Sequence, residues 1–259
     1  MAPSPWVIDE QTRMITDTTI PRGGVMAFLQ GRMGSVRLPG KTLMKIHGRS
    51  ILERAVGRLQ ASPAVDAVVA LTTRRSEDDA ITDECGRLGV PFYRGPDTDV
   101  LARFYEASEI FKPEIVIRAT ADNPLIEIGS IERIVTALKM SDLDYCMEKD
   151  LPYGAATEAM TAAALARAHA AAREPEHREH VTLYIKERPG EFRVLLLDPP
   201  AALRRPDFRV TVDTQEDFDA MERMIGFFPG NRENRPLEDY LHIIPANGNI
   251  CRACAVFLA

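Results

Sequence analysis

An α/β fold built on a mixed, mostly parallel sheet with helices on both faces is predicted for this chain by three observations. Apolar runs rich in β-branched residues recur near residues 25–30, 66–71, 90–93, 114–119 and 143–146. A single stretch of helical period separates each run from the next, which is how neighbouring parallel strands are connected across the face of a sheet. Helix punctuation falls in the gaps, with Ser50 and Glu53 spaced as a capping box, Ser76 paired with Asp79, and Gly89 placed to close the second helix.

Taken in order, residues 1–22 are polar, hold three prolines and lack a sustained period, so they are expected to form an extension outside the main fold. Helices are expected over about 50–59, 76–89, 100–110 and 130–138. At residue 151 the alternation stops. LPYGAATEAM reads as a hairpin or an arm leaving the sheet, followed by an alanine-rich helix at 161–173 and another at 178–188. Strands are expected at 192–197 and 208–212, and Thr214 with Asp217 caps a helix reaching about 227. The domain plan is therefore an extension at 1–22, one domain at 23–228 with an arm at about 148–190, and a tail at 229–259 in which 236–244 is expected to be a short helix.

With 259 residues the chain can bury a substantial core, and its average composition excludes disorder, collagen and coiled coil as overall descriptions. A net charge of −6 argues against a nucleic-acid partner. Four scattered cysteines make no disulfide framework and point to a reducing compartment. Cys251 and Cys254 form a C-x-x-C without the second ligand pair that zinc requires, and His177 and His180 lack an accompanying general-base motif. No stretch approaches the ~20 apolar residues of a membrane span, and no export signal is evident, so a cytoplasmic location without membrane association is expected.

Positive charge is concentrated instead in the stretch VMAFLQGRMGSVRLPGKTL at 25–43. An apolar strand empties into a loop holding Gly31, Gly34 and Gly40 together with Arg32, Arg37 and Lys41. Glycines let a backbone approach a ligand with its amides turned inward, and fixed cations neutralise the phosphates held there. The loop is not a P-loop, because five residues rather than four separate Gly34 from Gly40. Further along, RATADNPLI places Asp122 after a predicted strand, RVTVDTQEDF places Asp213 after another, and Thr72 and Thr73 end a third. Helix capping or a turn is a sufficient account of a lone aspartate at such a position. Ligands in parallel sheets nevertheless bind beyond the carboxyl ends of the strands, where these residues are expected to converge.

LQGRMGSVRLPGKTL resembles the signature Q-x-R-x-G-S-x-R-L-P-G-K-x-L of the nucleotidyltransferases that include the spore coat polysaccharide cytidylyltransferases and, more distantly, the CTP-dependent synthetases for 3-deoxy-manno-octulosonate and acylneuraminate. The likeness runs from about residue 25 to 227. It implies a Rossmann-like, GT-A-like nucleotidyltransferase that transfers CMP from CTP to a small anionic acceptor, releases pyrophosphate and serves surface polysaccharide or related biosynthesis. Catalytic roles fall on Arg32 and Lys41. Nucleotide contacts fall on Gln30, Gly31, Arg32, Gly34, Ser35, Arg37, Lys41, Thr72, Thr73, Asp99 and Arg103. Acceptor contacts fall on Arg118, Tyr153, Glu158, Arg178, Glu179 and His180, and the ligands of a Mg²⁺ ion are Asp122 and Asp213. Gly31 stands where relatives often carry alanine, and Asn123 where they often carry cysteine. The arm at 148–190 is a candidate homodimer surface. Two other readings are a nucleotide-sugar glycosyltransferase, whose usual Asp-x-Asp pair is missing, and a non-catalytic nucleotide-binding protein.

Overall fold

Within the central strands, side chains alternate between two apolar layers, and that alternation places the helices that flank the sheet. The computed structural model describes residues 6–9, 14–17, 23–228 and 234–243; Cys251, Cys254 and the rest of the tail lie outside them. In chain order the strands are β1 (Trp6–Asp9), β2 (Met14–Asp17), β3 (Val25–Gln30), β4 (Lys45–Ile46), β5 (Arg49–Ser50), β6 (Ala67–Thr73), β7 (Phe92–Gly95), β8 (Ile115–Thr120), β9 (Tyr145–Glu148), β10 (Glu158–Thr161) and β11 (Val194–Leu197). The helices are α1 (Ile51–Gln60), α2 (Asp79–Leu88), α3 (Val100–Phe111), α4 (Ile128–Met140), α5 (Ala162–Ala171), α6 (Pro175–Glu179), α7 (Leu183–Lys186), α8 (Gln215–Gly226) and α9 (Leu237–His242).

One nine-stranded sheet runs β1-β2-β7-β6-β3-β8-β10-β9-β11. Its central strands β7, β6, β3 and β8 are parallel, while β10 is inserted antiparallel between β8 and β9. On one face Val25, Ala27 and Leu29 of β3 pack with α1, α2 and α4. Met26 and Phe28 point to the other, against Phe104 and Phe111 of α3 and Leu165 of α5. Both faces are dry, as near-continuous apolar parallel strands require. A third apolar cluster joins α8 and α9 to Ile46, Phe208, Val210 and Val212, so α9, beyond the expected end of the domain, packs on its core.

Local expectations hold where sequence-adjacent groups decide them. Thr161 caps α5, and Thr214 and Asp217 form the full capping box of α8. Gly89 closes α2 at φ 67°, in the left-handed region that glycine tolerates. Other expectations give way to tertiary contacts. From the stretch 1–22, expected outside the fold, β1 and β2 join the sheet, where Ile15 pairs antiparallel with Phe92 along the edge of β7. Ser76 does not cap a helix, because residues 76–78 make a 3₁₀ turn that sends Asp78 inward. The helix expected at 178–188 is broken between α6 and α7. The strand expected at 208–212 pairs with no sheet strand; it forms a parallel bridge from Arg209 to Tyr153 and bonds to the loop after β8. Of the two readings of 151–160, the structure takes the hairpin, with β10 returning along β9.

Ser50 accepts from the Glu53 amide at 3.0 Å and donates to Glu84 Oε1 at 2.7 Å, tying the start of α1 to α2. Ser50→Ala is expected to cost ~1 kcal/mol. Urea unfolding should show a lower midpoint with an unchanged slope; an unchanged midpoint would contradict the role of this cap.

Candidate active site

Strands β3, β6, β7 and β8 all deliver their carboxyl ends to one edge of the sheet, and a cleft opens there. The loop after β3 is folded on itself before any ligand is considered. Gly40 sits at φ 73°, and its amide donates to Met33 O at 3.1 Å. The Gly31 amide reaches Leu71 O, Ser35 reaches Met33 O, and Thr42 Oγ1 donates to Arg32 O. The buried Asp78 carboxylate accepts from the Met33 amide at 2.7 Å and from both the amide and hydroxyl of Thr73, clamping the loop to the end of β6. Several of the expected inward amides are thus spent inside the loop; those of Gly34, Val36 and Arg37 have no acceptor among the described residues. A Cβ on Gly31 would stand 2.9 Å from Ala121 Cβ, so an alanine there would require that neighbour to shift.

Asp122 and Asp213 reach the same point for a backbone reason. The chain at 208–212 binds the loop after β8, with the Val212 amide donating to Asp122 O at 2.9 Å and Thr211 Oγ1 donating to the same oxygen at 3.3 Å. The two side chains then flank the Lys41 ammonium, which donates to Asp122 Oδ2 at 3.0 Å, Asp213 Oδ1 at 2.7 Å and Val212 O at 2.9 Å. Arg37 lies 3.2 Å from Asp213 Oδ1, and Arg209 donates to Oδ2 of the same carboxylate. Burial pushes the Asp213 carboxyl up, but the adjacent Lys41 and Arg209 outweigh it and hold it below the usual range.

The cleft has two lobes that meet at Arg37, Arg118, Thr120, Asp122, Glu179, His180 and Asp213. The first, about 460 Å³, is lined by Gln30, Gly31, Arg32, Gly34, Ser35, Lys41 and Arg103 among others. Arg32 is exposed and 3.9 Å from Asp97, and buried Arg103 donates to the carbonyls of Pro96 and Asp97. Gln30 Oε1 is buried without a partner. The second lobe, about 640 Å³, is lined by Tyr153, Glu158 and the chain at 147–154. Glu158 opposes Arg118 across the β8–β10 ladder and is bonded by Arg118 at 2.5 Å, Tyr145 at 2.6 Å, Thr182 at 2.9 Å and Lys186 at 3.0 Å. Those last two bonds sit just beyond the break between α6 and α7, and the break leaves Glu179 and His180 exposed at the cleft.

Four residues that the sequence places at the site line neither lobe. Thr72 is fully buried inside the sheet, and Thr73 is turned to Asp78. Asp99 caps α3 through the Ala102 amide and pairs with Arg178, whose guanidinium also donates to His169 O. Each of the four is enclosed or satisfied by neighbouring protein groups in the structure. Sequence reasoning misses Asp78, whose role depends on a contact 45 positions away, and Arg209, which is legible only as part of RVTVD.

For Glu158, burial pushes the carboxyl up, but Arg118, Lys186 and Tyr145 outweigh it and bring it down to about 2. A depressed carboxylate contributes stability that is complete above its unfolded value of 4.5 and is lost as the pH falls toward about 2. Glu158→Gln should therefore cost ~3 kcal/mol at pH 7, since it removes the buried carboxylate on which Arg118, Tyr145, Thr182 and Lys186 converge. The gap from the parent protein, read by urea unfolding, should close between pH 4.5 and 2. A gap independent of pH would refute the assignment.

The family described as Cytidylyltransferase matches residues 26–242. An uncharacterized protein of Methanocaldococcus jannaschii, MJ1063, is 39% identical over 227 residues, covering 87% of this chain and 93% of that protein. The spore coat polysaccharide biosynthesis protein SpsF of Bacillus subtilis is 33% identical over 205 residues, covering 77% and 85%. A cytidylyltransferase structure from Leptospira borgpetersenii superposes with a TM-score of 0.78 at 25% identity, covering 86% of this chain and 93% of its own. Glycine loop, nucleotidyltransferase fold and sequence agree, and the chain belongs to the cytidylyltransferase family.

Proposed function

We propose that this enzyme transfers CMP from CTP to a hydroxyl of a small anionic sugar-like acceptor and releases pyrophosphate. One observation carries the reading: Asp122 and Asp213, distant in sequence, meet beside the glycine loop at the junction of two lobes, one of which is lined by Arg32, Lys41 and Arg103. The first lobe suits the nucleotide because its cations face phosphate oxygens and its loop amides at Gly34, Val36 and Arg37 remain available. The second suits the acceptor, with Arg118, Glu179 and His180 at the junction where the acceptor oxygen must approach the α-phosphorus. Arg118 and Lys149 in that lobe are already paired, with Glu158 and Asp198, so an acceptor anion is met chiefly by Arg37 and His180.

The metal that the family implies is tested by the donor set. Two carboxylates within hydrogen-bond reach of one ammonium offer hard oxygens from separate loops, which fits Mg²⁺, an ion that keeps waters and takes further ligands from phosphate. Held by Asp122 and Asp213, the ion would neutralise charge on the phosphate oxygens. The chain's own work is positional. Arg32 draws the leaving phosphates, Arg37 and His180 orient the acceptor, and the acceptor oxygen forms its bond to the α-phosphorus as the bond to the pyrophosphate oxygen breaks. Service in polysaccharide biosynthesis is supported by likeness to SpsF, whose name places it in that process.

The reading is tested by incubating the protein with four nucleoside triphosphates against sugar acids and sugar phosphates and measuring pyrophosphate. CTP with an acidic sugar should release it; no release across the panel, or release indifferent to the base, would overturn the assignment. Asp122→Asn and Asp213→Asn should each reduce kcat by about 10²–10³-fold and raise the magnesium concentration needed for half-maximal rate. Unaltered magnesium dependence in both would remove the ion from these residues.

A further inference from the structure

Lys41 is buried, yet it faces the one place where the two carboxylates could share an ion. All three hydrogens of its ammonium are used, on Asp122 Oδ2, Asp213 Oδ1 and Val212 O. A cation bound by Asp122 Oδ2 and Asp213 Oδ1 would occupy the position that this nitrogen now holds. The same two carboxylates face three cations, since Arg37 and Arg209 also contact Asp213. Asp217 shares Arg209, so each carboxylate here is already matched by a cation; a free divalent ion must displace one of them, whereas an ion bound to a triphosphate arrives as part of an anion.

We propose that Lys41 is a tethered cation holding the metal position between Asp122 and Asp213 until the triphosphate arrives, when its ammonium transfers to a phosphate oxygen and the divalent ion takes its place. The proposal rests on the nucleotidyl-transfer reading and specifies the order in which that site fills. A tethered group competes at an effective concentration on the order of mM or more, enough to oppose cellular magnesium. Lys41 has the means to move: it follows Gly40 at φ 73°, its stem is a flexible four-carbon chain, and it lines the lobe assigned to the nucleotide. The triphosphate then gives the ammonium a new acceptor and the ion its missing ligands. By linkage, nucleotide and metal must raise each other's affinity by the same factor.

The test measures metal binding without turnover. Mn²⁺ is titrated into the full chain and its free fraction read by electron paramagnetic resonance, with and without a non-hydrolysable α,β-methylene analogue of CTP, the Mn²⁺ held by the analogue alone being measured without protein and subtracted. The parent protein should bind Mn²⁺ weakly alone and at least tenfold more tightly with the analogue. Lys41→Gln should bind Mn²⁺ alone at least tenfold more tightly than the parent, with a smaller further gain when the analogue is added. Adding Asp122→Asn to that variant should reverse the gain. Equal Mn²⁺ affinity in parent and Lys41→Gln, with folding verified by circular dichroism, would overturn the proposal. If the variant fails to fold, the parent alone decides: Mn²⁺ affinity unchanged by the analogue would also overturn it. Pyrophosphate release plays no part in this measurement, so a failure here leaves CMP transfer standing, and an inactive protein that passes it would fail only the functional reading.

Discussion

A single ammonium ion holds the catalytic end of this molecule together. Lys41 comes from the glycine loop, Asp122 from the segment after β8 and Val212–Asp213 from the chain leading into α8, and all three meet on one nitrogen. Neither aspartate sits on a regular strand or helix at the point of contact. Their positions are set instead by backbone bonds, above all Val212 N to Asp122 O, and that of the loop by the Asp78 clamp. Charges gathered so closely are tolerable only because they are matched, Lys41, Arg37 and Arg209 against Asp122, Asp213 and Asp217.

A second polar constraint divides the cleft. Arg118 and Glu158 face each other across adjacent antiparallel strands, where directly opposed side chains come closest. Glu158 gathers Tyr145, Thr182 and Lys186 around itself, so the floor of the larger lobe is a closed network rather than a set of free charges. Its hold on Thr182 and Lys186 fixes the chain just past the interruption between α6 and α7, and the same interruption turns Glu179 and His180 toward the cleft while Arg178 turns away to Asp99. One buried carboxylate thus shapes a wall that it does not itself form.

Much of this is legible in the chain because local chemistry decides it. The parallel core follows from apolar runs separated by single helices, and the capping box at Thr214 and Asp217 is written in adjacent residues. The loop from Gln30 to Lys41 is readable for a different reason: its spacing of glycines and cations resembles one family. What escapes a reading of the sequence are features whose partners lie far away. Phe208, Val210 and Val212 alternate as a strand does, but period reports burial and not the identity of the neighbour, and here the neighbours are Tyr153 and Asp122. Thr72, Thr73 and Asp99 sit where ligand contacts arise in such folds, yet each is enclosed or matched by its own surroundings. The lone Asp122 reads equally well as a turn residue until its partner on Lys41 is known.

The chain order of the three segments meeting at Lys41 has a consequence for how the protein is made. The loop, the clamp and the parallel core are all in place once the residues up to β8 have left the ribosome, but Asp213 follows only after nearly all of the described chain. A nascent polypeptide therefore holds the glycine loop long before it holds the acidic pair, and a chain that stops ahead of Val212 carries Lys41 and Asp122 but lacks the second carboxylate. The acidic pair is complete only with the last quarter of the sequence.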